Sequence, residues 1–362
     1  MFVAVRDLRF ARGRFALMGT VIVLITLLVG LLSGLTAGLG RENVSAITGL
    51  PADRLAFAAP GEGQDLSYAE SVVTAGQWRR WAEAEGVESA EPLGIAMTSA
   101  TAGARTVGVA AFGVRPGSGL APGGDRLDAG TAVLSTAAAE ELGAGPGATV
   151  TLAGRRLTVA AVRGDASFSH APVVWLTLDA WQGVAPDGSA GHPTATVIAL
   201  DTGPGADLGA VDAAAGTRTV TPDDSLSAIG SYAAENGSLQ LMRGFLFVIS
   251  ALVVGAFFAV WTVQRAGDVA VLKALGASTA GLLRDALGQA LVLLVGGTLL
   301  GTGGAVAVGA LLAGNGAVPF VLTPATVLPP AAVLVALGLL GAAVSVRRIT
   351  SVDPLIALGS AR

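Results

Sequence analysis

The chain sets three long apolar runs against one long mixed stretch, and that contrast predicts most of its architecture. From Phe15 to Gly40 no charged residue occurs. That run exceeds the roughly 20 residues a helix needs to cross about 30 Å of hydrocarbon. A second uncharged run lies between Arg243 and Arg265, and a third extends from Ala286 to Val346. The third has room for two spans, divided at Gly314-Asn315-Gly316 and Pro319, with Pro324, Pro329 and Pro330 marking where the next begins. Arg6, Arg9, Arg12 and Arg14 precede the first run, as they would in a signal peptide. The run is too long for the apolar part of such a peptide, and Gly38-Leu39-Gly40 is a poor cleavage site, so a retained helix is expected.

The expected fold class is therefore a membrane protein with four transmembrane α-helices and a large α+β extracytoplasmic domain between helices 1 and 2. The spans are placed at 15–40, 243–264, 286–313 and 325–346. A cytoplasmic segment at 1–14, a cytoplasmic loop at 265–285 and a tail at 347–362 complete the chain, with the outer domain at 41–242. Orientation follows from the basic residues. The three short segments carry 10 basic and 4 acidic groups, whereas 40–243 carries 12 basic and 22 acidic. Both termini are expected on the cytoplasmic side of the cell membrane.

Within 41–242 the periodicity changes from segment to segment. Trp78-Arg79-Arg80-Trp81 fits an amphipathic helix from about Ser71 to Ala84. Alternation in 95–99 and 106–112 around Ala102-Gly103-Ala104 predicts a hairpin. A short helix from Ser135 to Leu142 ends at Gly143, and a second hairpin joins 148–152 to 157–162 through Ala153-Gly154. Further strands are expected at 173–178 and 194–200, with turns at Pro186-Asp187-Gly188 and Pro204-Gly205.

Composition narrows the chemistry. The chain is 52% apolar and 13% charged, about half the charge of an ordinary soluble domain. There is no cysteine, hence neither disulfide nor thiolate site, and the two histidines, His170 and His192, fall in the outer domain away from any apolar run. A net charge of −4 speaks against nucleic acid as a partner. The one lysine, Lys273, stands between Leu272 and Ala274, so the Gly-Lys-Ser/Thr of a phosphate-binding loop is absent. Any ATP-driven work must draw on another subunit.

Three features could carry mechanism. In the loop after helix 2, Val269, Leu272 and Leu275 fall on one helical face, which suits either insertion into a partner's groove or a connector lying on lipid. Gly30, Gly34 and Gly38 repeat every fourth residue in the outer half of helix 1, spacing that lets helix backbones approach within or between subunits. At the outer membrane boundary, Glu42 continues that spacing, and Glu235 with Tyr232 lies just before or within the start of helix 2, sharing a helical face with Met242. Carboxylates there are either functional or simply solvated among headgroups.

The loop Arg265, Asp268, Ala270, Leu272, Lys273, Ala274, Leu275, Gly276, Ala277, Ser278 resembles the signature of the ABC transporter permeases that include the macrolide exporter, the lipoprotein-releasing permeases and the cell-division protein FtsX. Asp268 stands where that family usually has Glu. The tail from Arg347 to Leu358 resembles the family's closing segment, although Gly359 replaces a frequent Arg, and 132–162 is weakly similar to its outer domain. The resemblance implies a cytoplasmic ATPase partner seated on Arg265, Asp268, Leu272, Lys273, Leu275 and Gly276, with ATP and Mg on that partner, and a second copy of the chain. It also implies a permease subunit with no catalytic residues of its own.

A narrower resemblance rests on Arg6-Asp7-Leu8-Arg9-Phe10, Arg14-Phe15 and the stretch from Leu32 to Leu39, which are similar to the haem-export permeases of Gram-positive bacteria. It implies haem as a substrate taken from lipid at the outer leaflet, not as an intrinsic cofactor. Glu235 is then the first candidate for an axial ligand, followed by Glu42, Tyr232 and Met242. Export of a lipoprotein or peptide, and an FtsX-like signalling scaffold, are the alternatives within the same resemblance.

Overall fold

The computed structural model describes residues 12–184, 195–264, 267, 271, 275–314, 319–321 and 323–350. In chain order the elements are α1 (Arg12–Thr48), β1 (Arg54–Ala58), α2 (Ala75–Ala82), β2 (Val87–Ala102), β3 (Arg105–Val114), β4 (Thr131–Leu134), α3 (Thr136–Leu142), β5 (Thr149–Leu152) and β6 (Arg155–Val162). They continue with β7 (Ser167–Phe168), β8 (Ala171–Thr177), α4 (Leu178–Gln182), β9 (Val197–Thr202), α5 (Leu208–Ala215), β10 (Thr217–Val220), α6 (Gly230–Gln264), α7 (Thr279–Gly314) and α8 (Pro324–Thr350). The chain divides into two compact units, Met1–Gly38 with Ser238–Arg362, and Leu39–Gly237.

In the helical unit, α1, α6, α7 and α8 are each long and apolar enough to cross a membrane. All four begin earlier or end later than the uncharged runs; α6, for instance, begins at Gly230 and not near Arg243. Charge ends the part of a helix that lipid can hold, but the backbone ladder continues into water. Pro324 opens α8, whereas Pro329 and Pro330 lie inside it and do not mark its start. Thr323 and Thr326 cap that start reciprocally, each backbone N–H meeting the other's hydroxyl at 2.9 and 3.2 Å.

Glycine sets how closely these helices approach. A Cβ on Gly301 of α7 would lie 2.6 Å from the Val23 carbonyl oxygen of α1, and one on Gly30 would lie 2.7 Å from the Ala305 Cβ. A Cβ on Gly34 or on Gly309 would strike the Phe320 ring, and one on Gly38 would strike the Pro319 carbonyl. The Val321 N–H donates to the Gly34 carbonyl at 3.1 Å. The stripe Gly30, Gly34, Gly38 is thus filled from within the same chain, by α7 and the residues that precede α8.

The inserted unit is α+β. Its ten strands run in the order β10-β1-β9-β2-β3-β8-β4-β6-β5, with β7 beside β8 and a further β2–β5 pairing that closes the last six into a ring. The 16-residue β2 joins both parts: Val87 to Leu93 pair with β9, and Gly94 to Ala102 pair with β3. The expected hairpins β2–β3 and β5–β6 are present, the latter through Ala153 and Gly154 at φ 43° and 83°. The helix expected from Ser71 begins at Ala75, because Thr74 and Gln77 form a capping box there. Ser135 caps α3, and Gly143 ends it in the left-handed conformation. The turn at Pro186-Asp187-Gly188 lies outside the described residues. One apolar cluster holds Trp81, Leu134, Leu152 and Leu200. A second holds Ile47 of α1, Phe57, Phe112, Trp175 and Ile229, so it ties the end of α1 to the sheet.

Candidate functional site

The site is built where the end of α1, the start of α6 and the β7–β8 turn meet within the inserted unit. That turn has two residues, Ser169 and His170, at φ 52° and 63°. Positive φ at both central positions defines a type I′ turn, normally filled by Asn-Gly. For Ser and His the left-handed conformation costs about 1–3 kcal/mol each. Neighbouring bonds hold the turn in place: the Ser169 and His170 N–H groups donate to the Asn43 and Glu42 carbonyls at 3.0 and 3.3 Å. Ser45 Oγ accepts the Ser167 N–H at 2.9 Å, and Arg41 pairs with Asp165. The segment 165–170 is therefore fastened along the last turns of α1.

His170 lies between two carboxylates. Its Nε2 is 2.9 Å from Glu235 Oε2 and its Nδ1 is 3.9 Å from Glu42 Oε2. Asn43, almost wholly buried, joins the group: its Nδ2 is 3.1 Å from His170 Nε2 and 3.5 Å from Glu235 Oε2. Ser231 Oγ donates to Asn43 Oδ1 at 2.7 Å and lies 2.8 Å from Ser169 Oγ. When Nε2 carries its proton it donates to Glu235; in the other neutral tautomer it accepts from the Asn43 amide. The imidazolium form would serve both carboxylates. Side-chain exposures of 44% for Glu42 and 45% for Glu235 leave each carboxylate with an open side.

The arrangement corrects one expectation: His170, read as lying in the outer domain away from any apolar run, is in contact with Glu235 at the start of an apolar helix. Of the two places open to Glu235, just before helix 2 or within its start, it takes the latter, in the second turn of α6. Tyr232 packs partly buried against the apolar cluster that contains Ile229. Met242 belongs to the helical unit and is exposed. Among the described residues no three acidic or histidine groups are arranged to hold a free metal ion. His192 lies outside the described residues, as do Arg265, Asp268, Leu272 and Lys273 of the loop after α6. Of that loop, Leu275 is 79% exposed, and Gly276 at φ 92° follows it. The Leu275 N–H reaches back to the Val271 carbonyl at 3.0 Å, one helical turn.

Asn43, Ser169, His170 and Ser231 are absent from the sequence reading of the site. The usable signal was slight: a buried-type Asn beside Glu42 at a helix end, and a polar Ser-His pair between apolar Phe168 and Ala171.

Two family models match. The MacB-like periplasmic core domain covers residues 15–218, and the FtsX-like permease C-terminal module covers 241–354. A hemin transport system permease protein, HrtB, of Staphylococcus haemolyticus is 25% identical over 99% of both chains. An ABC transporter permease of Mycobacterium tuberculosis is 27% identical over 99% of both. Among solved structures, the periplasmic region of MacB from Actinobacillus actinomycetemcomitans aligns with 49% of this chain and 92% of that one, at TM-score 0.35 and 13% identity. With the first model alone spanning more than half of the residues and the second taking up the remaining helices, the chain belongs to the MacB/FtsX family of ABC transporter permeases.

Proposed function

We propose that this permease exports haem, taken laterally from the outer leaflet, and that a separate cytoplasmic ATPase seated on the 265–278 loop drives it. The supporting observation is the half-open carboxylate of Glu235, oriented by His170 and Asn43 at the outer start of α6. A carboxylate oxygen is a hard donor suited to ferric iron, and its charge offsets that of the metal. Haem brings its own four nitrogens, so one protein oxygen suffices where a free ion would need three or more groups. Full-length similarity to a hemin transport permease supports the same substrate. Two copies with their outer helix ends facing each other would present two such carboxylates to one iron. Both termini and the 265–285 loop are on the cytoplasmic side in this reading, which places the inserted domain outside.

The energy supply gives a test. The lone permease hydrolyses no ATP, because its single lysine is not in a phosphate-binding loop. Reconstituted with its cognate ATPase in lipid, it should support turnover that rises with added hemin. Turnover by the permease alone, or indifference of the complex to hemin, would contradict the proposal.

A further inference from the structure

Between α7 and α8 lies an apolar groove of about 620 Å³. Leu287, Gly288 and Leu291 line it from α7, and Ala336, Leu340 and Ala343 line it from α8. Half of these six are Gly or Ala, and nothing lies within 4 Å of where a Gly288 Cβ would be, so the helix pair does not fill the space itself. One turn beyond Leu291, Leu294 sits so close to Gly338 that a Cβ there would clash, which closes the groove toward the middle of the spans. Both helices are long and apolar enough to cross a membrane, and Leu291 and Leu340 are exposed beside the gap. In lipid such a gap forfeits dispersion contacts unless an apolar chain fills it.

The other end of the groove is basic. Arg284 stands four residues before Gly288 and three before Leu287, on the same face of α7. It is exposed and forms no ion pair among the described residues. Asp285 lies about 100° round the helix from it. On α8, Arg347 follows Ala343 by four residues, one turn later. Consecutive spans run in opposite directions, so the start of α7 and the end of α8 fall on the same side of the membrane. We propose that the groove binds an acyl chain of an anionic phospholipid from the leaflet on that side, with the lipid phosphate held by Arg284. The chain lies along about two helical turns, roughly 10 Å. Arg284 keeps its guanidinium at headgroup level while its stem follows the apolar face. A zwitterionic headgroup brings its own cation to this basic edge, so the anionic class is preferred. The bound lipid braces α7 against α8 at the end where α7 begins.

The test uses the full-length permease in bilayer discs of phosphatidylcholine, doped with a phosphatidylglycerol that carries a photoreactive diazirine in its acyl chain. Label should saturate on 287–291 and 336–343, and unlabelled phosphatidylglycerol should displace it better than phosphatidylcholine does. Arg284→Gln should cut that preference about fivefold, the contribution of one arginine beside an anionic lipid. Gly288→Leu places a side chain in the open space and should abolish the label on both segments. Label spread evenly over the four spans, equal displacement by both lipids, or undiminished label in Gly288→Leu overturns the site. If Gly288→Leu does not accumulate, the displacement series and Arg284→Gln decide without it. Because the chain has no cysteine, Gly288→Cys tests the rival occupant. A disulfide between two copies in native membranes would show that a second chain covers the groove, and would overturn the lipid.

Discussion

His170 Nε2 lies 2.9 Å from Glu235 Oε2, although 65 positions separate the two residues in the chain. The contact fixes the β7–β8 turn to the second turn of α6, and Asn43 of α1 reaches both partners. His170 and Glu235 are partly exposed, and such a pair contributes at most about 1 kcal/mol to stability. Asn43 is different: it is buried, and its loss removes the acceptor of the Ser231 hydroxyl together with the amide that reaches His170 and Glu235. Asn43→Ala should therefore cost about 1–3 kcal/mol in denaturant unfolding, and His170→Ala under about 1 kcal/mol. Equal costs would mean that the buried amide does not organise the cluster.

Glu235→Ala should alter the Soret band of bound hemin and lower hemin tolerance in cells, while expression and association with the ATPase stay intact. Glu42→Ala is the paired test and should do less, since its carboxylate lies 3.9 Å from the His170 ring and Glu235 lies at 2.9 Å. Axial ligands set the electronic state of haem iron, so loss of one changes the spectrum as well as the affinity. Unaltered spectra in both variants would remove the ligand assignment.

How far the sequence could be read depended on how local each cause was. Four helices were legible because lipid demands long uncharged runs, and the hairpin at Ala153-Gly154 because its turn residues announce it. The β7–β8 hairpin was not legible. Two-residue β7 leaves no alternation to detect, and Ser169-His170 lacks the Gly or Asn that a type I′ turn ordinarily uses. Glu42 and Glu235 stood out by nearness to the apolar boundary. Asn43 and His170 are brought together across 127 positions by the fastening of the β7–β8 turn along the end of α1, which no local pattern announces. The glycine stripe in α1 showed that something approaches closely, but not that it is Ala305 and Phe320.

The intramolecular filling of that stripe gives a third prediction. Gly34→Leu should lower the thermal midpoint of the permease by displacing Phe320 from between Gly34 and Gly309. Gly19→Leu on the same helix, with nothing within 4 Å of its Cβ position, should be tolerated. If Gly34→Leu leaves the midpoint unchanged and only separates subunits, the stripe serves an interface between copies.

Leu275 is 79% exposed between α6 and α7. In the proposed reading it fills an apolar groove on the ATPase, so Leu275→Asp should abolish co-purification by placing an unpaired charge there. Undiminished recovery of the ATPase with the variant would place docking elsewhere.

The most direct measurement is a hemin titration of the permease purified with its ATPase, followed by difference absorption. A saturable Soret shift is expected that ends near one hemin per two permease chains and is changed in shape by Glu235→Ala. A complex that gives no saturable shift, or a shift identical in the variant and the parent at every hemin concentration, would contradict it.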